Sequence, residues 1–398
     1  MPDPAVWTIE ANQDVRESYG YLTDVMAGYD ETEQRVSLRA VPLEGLEFSA
    51  LATDAREAGL AESLIHALQD EAIVVPYWQY GSRLSGAVGI GASLLPIADA
   101  LDVPYRAAGY AVVWRDPYTW ELFTVASTSG AGVATSDTAT IAWASGSALV
   151  FPGRLMRIAS RSPLDHESAT VASSRFTFEA ETAEPTAAAA ESLPLYRALP
   201  VLTVVPDRGS ATRDDVERRV YLLDGRLGVR FSDAPSAAPQ TVRDFAWLCF
   251  SRAEARALRE FVDARRGRAR PFWMLAWQQD LELSADLAPG AGALTVRERG
   301  YTSMIFPAGN GRRHVAVRGL PGGAFHYRKV TASVDNGDGT ETLTLDATVP
   351  DALPAATTFT TFLRFSRLEE DEQRIDWAGG HYASCLLPMR ELTGEAPA

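Results

Sequence analysis

Through much of this 398-residue chain, polar and apolar positions alternate in short runs bounded by Gly, Pro, Asp or Asn. A period of two predicts strands. Two stretches break the rhythm. Behind Asp54 and Glu57, the apolar residues Leu60, Leu64, Ile65 and Leu68 recur at helical spacing. Behind Ser251 and Glu254, Leu258, Phe261 and Val262 do the same. Each stretch predicts an amphipathic helix opened by a capping box. The segment "SVDNGDGTETLTLDA" (333–347) predicts a hairpin turning at Asn336-Gly337 or Asp338-Gly339.

The order of these patterns occurs twice. "FSALATDAREAGLAESLIHALQDEAIVVPYW" (48–78) lines up with "FAWLCFSRAEARALREFVDARRGRARPFW" (245–273): strand, helix, then Pro-aromatic-Trp. Before them, "VRESYGYLTD" (15–24) resembles "VERRVYLLD" (216–224). After them, "GASLLPI" (91–97), "WELFTVAST" (120–128) and "SALVFPGRLMRIAS" (147–160) match "GALTV" (292–296), "FHYRKVTAS" (325–333) and "ALPAATTFTTFLRFS" (352–366). Last, "SSRFTFEAE" (173–181) matches "ASCLLPMREL" (383–392) loosely.

The prediction is a mainly β chain with a few helices. It is a tandem duplication of a β-sandwich-like domain, each copy with one helix and an inserted small β-barrel-like module. The first domain takes 1–79 plus 161–181, with its inserted module at 80–160. The second takes 201–275 plus 368–398, with its module at 276–367. An Ala- and Pro-rich linker, 182–200, separates them. Pro76, Tyr77 and Trp78, with Pro271, Phe272 and Trp273, are expected to pack between helix and sheet as core. An aromatic contact at a subunit interface or a carbohydrate platform stays open for them.

Charge narrows the partners. The net charge of −15 argues against wrapping nucleic acid, which needs a broad cationic footprint. Positive charge is nevertheless concentrated in "ARRGRARPFWM" (264–274), at Arg265, Arg266, Arg268 and Arg270. These are candidate interface residues toward an acidic partner, or they complement the free carbonyls at the end of the second helix. Cys249 and Cys385 have neither metal-ligand spacing nor a disulfide framework, and read as buried thiols. The amino terminus lacks a basic region followed by an apolar run, and no apolar stretch is long enough to span a bilayer. The expectation is a soluble chain made in the cytoplasm, with no membrane insertion.

No catalytic set stands out. His66, His166, His314, His326 and His381 are scattered, and "LDHE" (164–167) offers no second ligand cluster. "DNGDGTETLTLD" (335–346) has glycines where a calcium loop needs oxygen ligands. The many carboxylates show no spacing that selects a pair for glycoside hydrolysis. The chain is therefore read as a non-enzyme without cofactor or metal.

The stretch "EARALREFVDARRGRARPFWM", together with "VPYW", "GYAVVWRDPYTWELFTVAS" and "FPGRLMRIAS", resembles tailed-bacteriophage minor tail and distal tail proteins of the baseplate and tail tip. The likeness spans roughly residues 10–370. It implies tail-tube-type domains and a structural role in the virion. The implied product is a ring joining the tail tube to the hub or receptor-binding tip, assembled in the host cytoplasm. Two tube-like folds per chain suggest a homotrimer with pseudo-six-fold symmetry, a hexamer being the alternative. The implied partners are the tail tube protein, the tape-measure protein and baseplate hub proteins, with DNA only passing through a channel. The first copy departs from the pattern, with "QDEAIVV" in place of "ARRGRAR". The alternative function is a carbohydrate- or receptor-binding module of a phage tip, carried by Trp114, Tyr118, Trp120 and Trp143 of the inserted module.

Overall fold

The computed structural model describes residues 4–397 except 13, 69–70, 159–163, 169, 184–192, 210–212, 227, 229, 237 and 308–311. The protein is mainly β: among the described residues, 23 strands join in one sheet, and a separate hairpin pairs Tyr221–Asp224 with Arg230–Asp233. Helices α1 (Ala55–Leu68) and α2 (Arg252–Arg265) begin where the capping pattern predicts. Asp54 Oδ1 accepts from the amides of Arg56 and Glu57 at 2.8 Å each, and Ser251 Oγ accepts from Glu254 N at 3.2 Å. Both glutamates reach back to an amide before the cap, Thr53 N and Phe250 N. Leu258, Phe261 and Val262 of α2 are buried, whereas Leu60, Leu64 and Ile65 of α1 are only half-buried. The side chain of Leu68 lies outside the described residues.

The two halves share one pairing order. In the first, Glu33–Ala52 lies between Asp14–Ala27 and Ala172–Ala180, and the latter passes to Leu149–Ile158. That strand pairs with Ile73–Pro76 and Tyr110–Asp116, and the ladder continues through Thr119–Ser129 and Gly132–Thr135 to Leu94–Leu95. In the second half, Gln240–Cys249 lies between Asp214–Glu217 and Tyr382–Glu391, and the latter passes to Thr358–Leu368. That strand pairs with Phe272–Leu275 and His314–Gly319, and the ladder continues through His326–Asp335 and Thr340–Val349 to Ala291–Arg297. A parallel contact recurs as well, Val6 with Val74 and Val201 with Trp273.

Register corrects one expected equivalence. Pro76 faces Gly153 where Leu275 faces Leu363, and the next amides, Tyr77 N and Ala276 N, donate to Pro152 O and Phe362 O at 2.9 Å each. Pro76-Tyr77-Trp78 thus matches Leu275-Ala276-Trp277, and Pro271-Phe272-Trp273 sits four residues earlier in the register. Pro76, Tyr77, Trp78, Phe272 and Trp273 are buried, but Pro271 is half-buried because it precedes its strand instead of joining it.

The main core runs through both halves and the first inserted module. The second module has its own core around Leu294, Val296, Tyr301, Val317, Leu343 and Phe362. Leu149–Ile158 and Thr358–Leu368 each serve both the inserted module and the strands outside it. The Asn336–Gly339 turn joins its strands as predicted, with Gly337 and Gly339 at φ 73° and 84°. Of the expected linker 182–200, residues 184–192 lie outside the described residues; within its remainder, Leu195–Tyr196 pairs with Leu199–Pro200.

Candidate assembly interface

The halves meet edge to edge. Asp14–Gly20 of the first pairs antiparallel with Glu372–Ala378 of the second, which makes the sheet continuous. In this ladder Arg16 faces Asp376, and its Nε donates to Oδ1 at 2.5 Å. Tyr80 and Trp377 meet edge to face across the seam with centroids 5.0 Å apart. Past Gly20 the first half's hairpin becomes an arm laid over the second half. Tyr21 N donates to Asp371 O at 3.0 Å, and Thr23 N and Oγ1 both donate to the Asp371 carboxylate at 2.8 Å. Farther out, Glu33 accepts two bonds from Arg367 at 2.7 Å, and Arg35 Nη2 donates to Glu395 at 2.6 Å.

Helix α2 stitches the seam from above. Arg252, Arg256 and Arg259 fall on one face by their three- and four-residue spacing. Arg252 donates to Asp99 Oδ2 at 2.6 Å, Ser82 Oγ at 2.9 Å, and the carbonyls of Gly81 and Gln79 at 2.8 and 3.3 Å. It also holds Gly380 O at 3.0 Å in its own half. Arg256 donates to Leu101 O at 2.7 Å and stands 3.2 Å from Asp102. Arg259, fully sequestered, donates to Tyr80 Oη at 2.9 Å. One helix of the second half therefore holds residues 79–102 of the first.

Beneath these arginines lie two buried acids at inward positions of alternating strands. Glu44 pairs with Arg106 and Arg154 and accepts from Tyr77 Oη at 3.1 Å. Burial opposes its ionisation, but the guanidiniums of Arg154 and Arg106 prevail and hold it below the usual carboxylate range. Glu17 accepts from Tyr19 Oη and Gln79 Nε2. Burial pushes its pKa up, against the pull of Arg259 from the other half. Burial likewise drives the phenols of Tyr19, Tyr77 and Tyr80 far upward, so they serve as neutral hydrogen-bonding groups and not as nucleophiles. A cleft of about 210 Å³ opens beside this network, lined in part by Arg106, Arg256, Arg259 and Asp263.

The arginines singled out in the sequence lie at the end of α2 and mostly bond locally. Arg265 is buried, with Nη1 donating to Pro271 O at 3.2 Å. Arg266, at φ 54°, ends the helix through its own amide, which donates to Val262 O and Asp263 O at 3.2 Å. Arg268 N donates to Asp371 Oδ1 at 3.0 Å, tying the turn to the seam. Arg270 is exposed and caps Ala264 O at 3.3 Å. The helix-terminus role is therefore present in these contacts. The arginines that carry the seam are Arg252, Arg256 and Arg259, whose helical spacing is legible in the sequence. Glu17 and Glu44 were also readable, as acids on inward-facing strand positions.

The remaining candidates do not converge. His66, His166 and His381 are exposed, His326 contacts Asp351 at 2.8 Å, and His314 is buried against Trp273. Trp114 and Trp143 belong to the core and Trp120 is half-buried; Tyr118 is exposed with Arg56 stacked 3.5 Å from its ring centre. These four aromatics do not share one exposed face. Cys249 and Cys385 are buried free thiols. Among the described residues, no three His, Cys, Asp or Glu side chains are grouped to hold a metal, and no helix is long and apolar enough to cross a membrane. No protein-family model matches the chain, and no curated protein matches it.

Proposed function

We propose that this chain is a structural, non-enzymatic subunit of a bacteriophage tail tip or baseplate. In this reading it forms a ring between the tail tube and the hub. The observation that carries the assembly reading is the seam: two halves with one pairing order, joined head to tail through strand edges. A head-to-tail contact repeated between copies closes into a ring when its rotation allows. The phage assignment rests on the sequence resemblance, and an internal duplication would explain the two like halves. Three copies would present six like halves, matching six-fold neighbours on one side and three-fold neighbours on the other.

Native mass spectrometry and negative-stain imaging of the purified full-length chain test the reading. Annular particles of three-chain mass with six similar lobes are expected. A six-chain ring would keep the ring and overturn the count of three. A chain that stays monomeric at tens of micromolar would overturn the reading.

A further inference from the structure

Thr358–Leu368, the strand shared by the second module and the second half, carries a buried cation with few partners. Arg364 is 6% exposed, and its Nε and Nη1 make no hydrogen bond among the described residues. Two carboxylates stand near it but beyond hydrogen-bond reach, Glu391 Oε2 at 3.7 Å from Nη1 and Asp214 Oδ2 at 3.8 Å from Nη2. Asp214 is already committed, since both its oxygens accept from Arg243.

The first half shows what such an arginine pairs with. Met274 faces Arg364 as Val75 faces Arg154, so the two arginines hold one position in the common pairing order. Arg154 Nε donates to Glu44 Oε2 at 3.2 Å. Val216 faces Thr241 as Tyr19 faces Glu44, and Thr241 lies as far before Ser251 as Glu44 lies before Asp54. The second half therefore keeps the arginine and carries a short, neutral side chain at the glutamate's position. A cavity of about 10 Å³ lies there, lined by Thr241 and Arg364 with Arg243, Glu391, Met274 and Met389. It has room for one particle of about water's size. The two methionines, unbranched and polarizable, can yield to a slightly larger one.

Charge selects the particle. Burial opposes the Arg364 charge first of all; around it, Glu391 and Asp214 favour that charge while Arg243 and Arg312 oppose it. Three cations against two anions leave one positive charge over. A water would give the guanidinium an acceptor without balancing that charge, whereas a small monovalent anion does both. A larger or doubly charged anion is excluded by the cavity's size and by the two neighbouring carboxylates. We infer that this cavity binds a halide of chloride's class, held by the Arg364 guanidinium with the Thr241 hydroxyl as a second donor. The ion stands in for the carboxylate that Glu44 supplies in the first half. The inference is independent of the ring reading.

Thermal melts of the full-length chain at fixed ionic strength, with sodium chloride or bromide exchanged for sodium gluconate, test the site. Either halide should raise the wild-type melting temperature by about 2 °C or more over gluconate, and the rise should saturate. Thr241→Glu, which restores the first-half pair, should melt alike in all three salts. Should that variant not fold, Arg364→Met takes its place, with the same loss of the halide effect expected. Crystals grown in bromide should show one anomalous peak beside Arg364. A wild type indifferent to halide, or a halide effect that survives in the folded variant, would overturn the site. So would density in the cavity that bromide does not label, which would assign it to water.

Discussion

Arg252 of α2 and Asp99 of the first half form a 2.6 Å ion pair across the seam, and the same guanidinium holds the carbonyls of Gln79, Gly81 and Gly380. Arg252→Ala would strand those acceptors in a buried setting. A loss of about 2–4 kcal/mol is expected by urea denaturation, discounted for the part-exposed Asp99. A change below about 0.5 kcal/mol would mean that the strand ladder alone holds the halves together.

Glu44 pairs with both Arg106 and Arg154 in the network beneath. Glu44→Gln removes the buried negative charge that both guanidiniums share, at a cost of about 3–5 kcal/mol. Equilibrium unfolding at neutral pH measures it, and a near-neutral result would show that water reaches the network.

His314 is buried with its Nδ1 2.9 Å from Tyr196 Oη, a hydroxyl that already accepts from Arg197 Nε. That arrangement suits a neutral imidazole. Burial first, then Arg197 and Lys329, lower its pKa to about 4. The folded pKa lies below the unfolded value, so the folded state binds fewer protons. The stability is present above about pH 6.5 and drains away as pH falls toward 4, by about 3 kcal/mol in full. His314→Asn should flatten the fall in melting temperature between pH 7 and pH 4.5. An unchanged slope would assign that fall to other groups.

Gly267 sits at φ 64° between the arginines, and an added Cβ would run into Asp371 and Tyr21. Gly267→Ala is therefore expected to cost about 2 kcal/mol. Arg270→Ser, at the exposed end of the same turn, should stay within about 0.5 kcal/mol. Thermal melts of the two variants separate the turn's backbone geometry from its surface charge; equal effects would contradict this division.

What could be read from the sequence follows the range of the forces involved. Capping, helix faces and the Asn336–Gly339 turn are set by neighbours in sequence, and each was visible. So was the order of strands. The register was not, because Pro76 and Pro271 look alike locally while their strands are positioned by partners far along the chain, Gly153 and Ser366. Within the chain, the arginines of "ARRGRARPFWM" bond mostly to their own turn. Four arginines close together draw the eye, whereas three spread over two helical turns do more across the seam. The roles of Glu17 and Glu44 depend on Arg259 and Arg154, which only the fold brings near.

The ladder between Asp14–Gly20 and Glu372–Ala378 also decides how the molecule would bear a load. Its hydrogen bonds lie across the strand direction. A pull along the strands in opposite senses strains all of them together in shear, whereas a pull across the ladder from one end opens them one pair at a time. Tension directed along Asp14–Gly20 would thus meet the whole seam at once. The arm over the second half, tied down through Asp371, Arg367 and Glu395, guards the Gly20 end from which peeling would start.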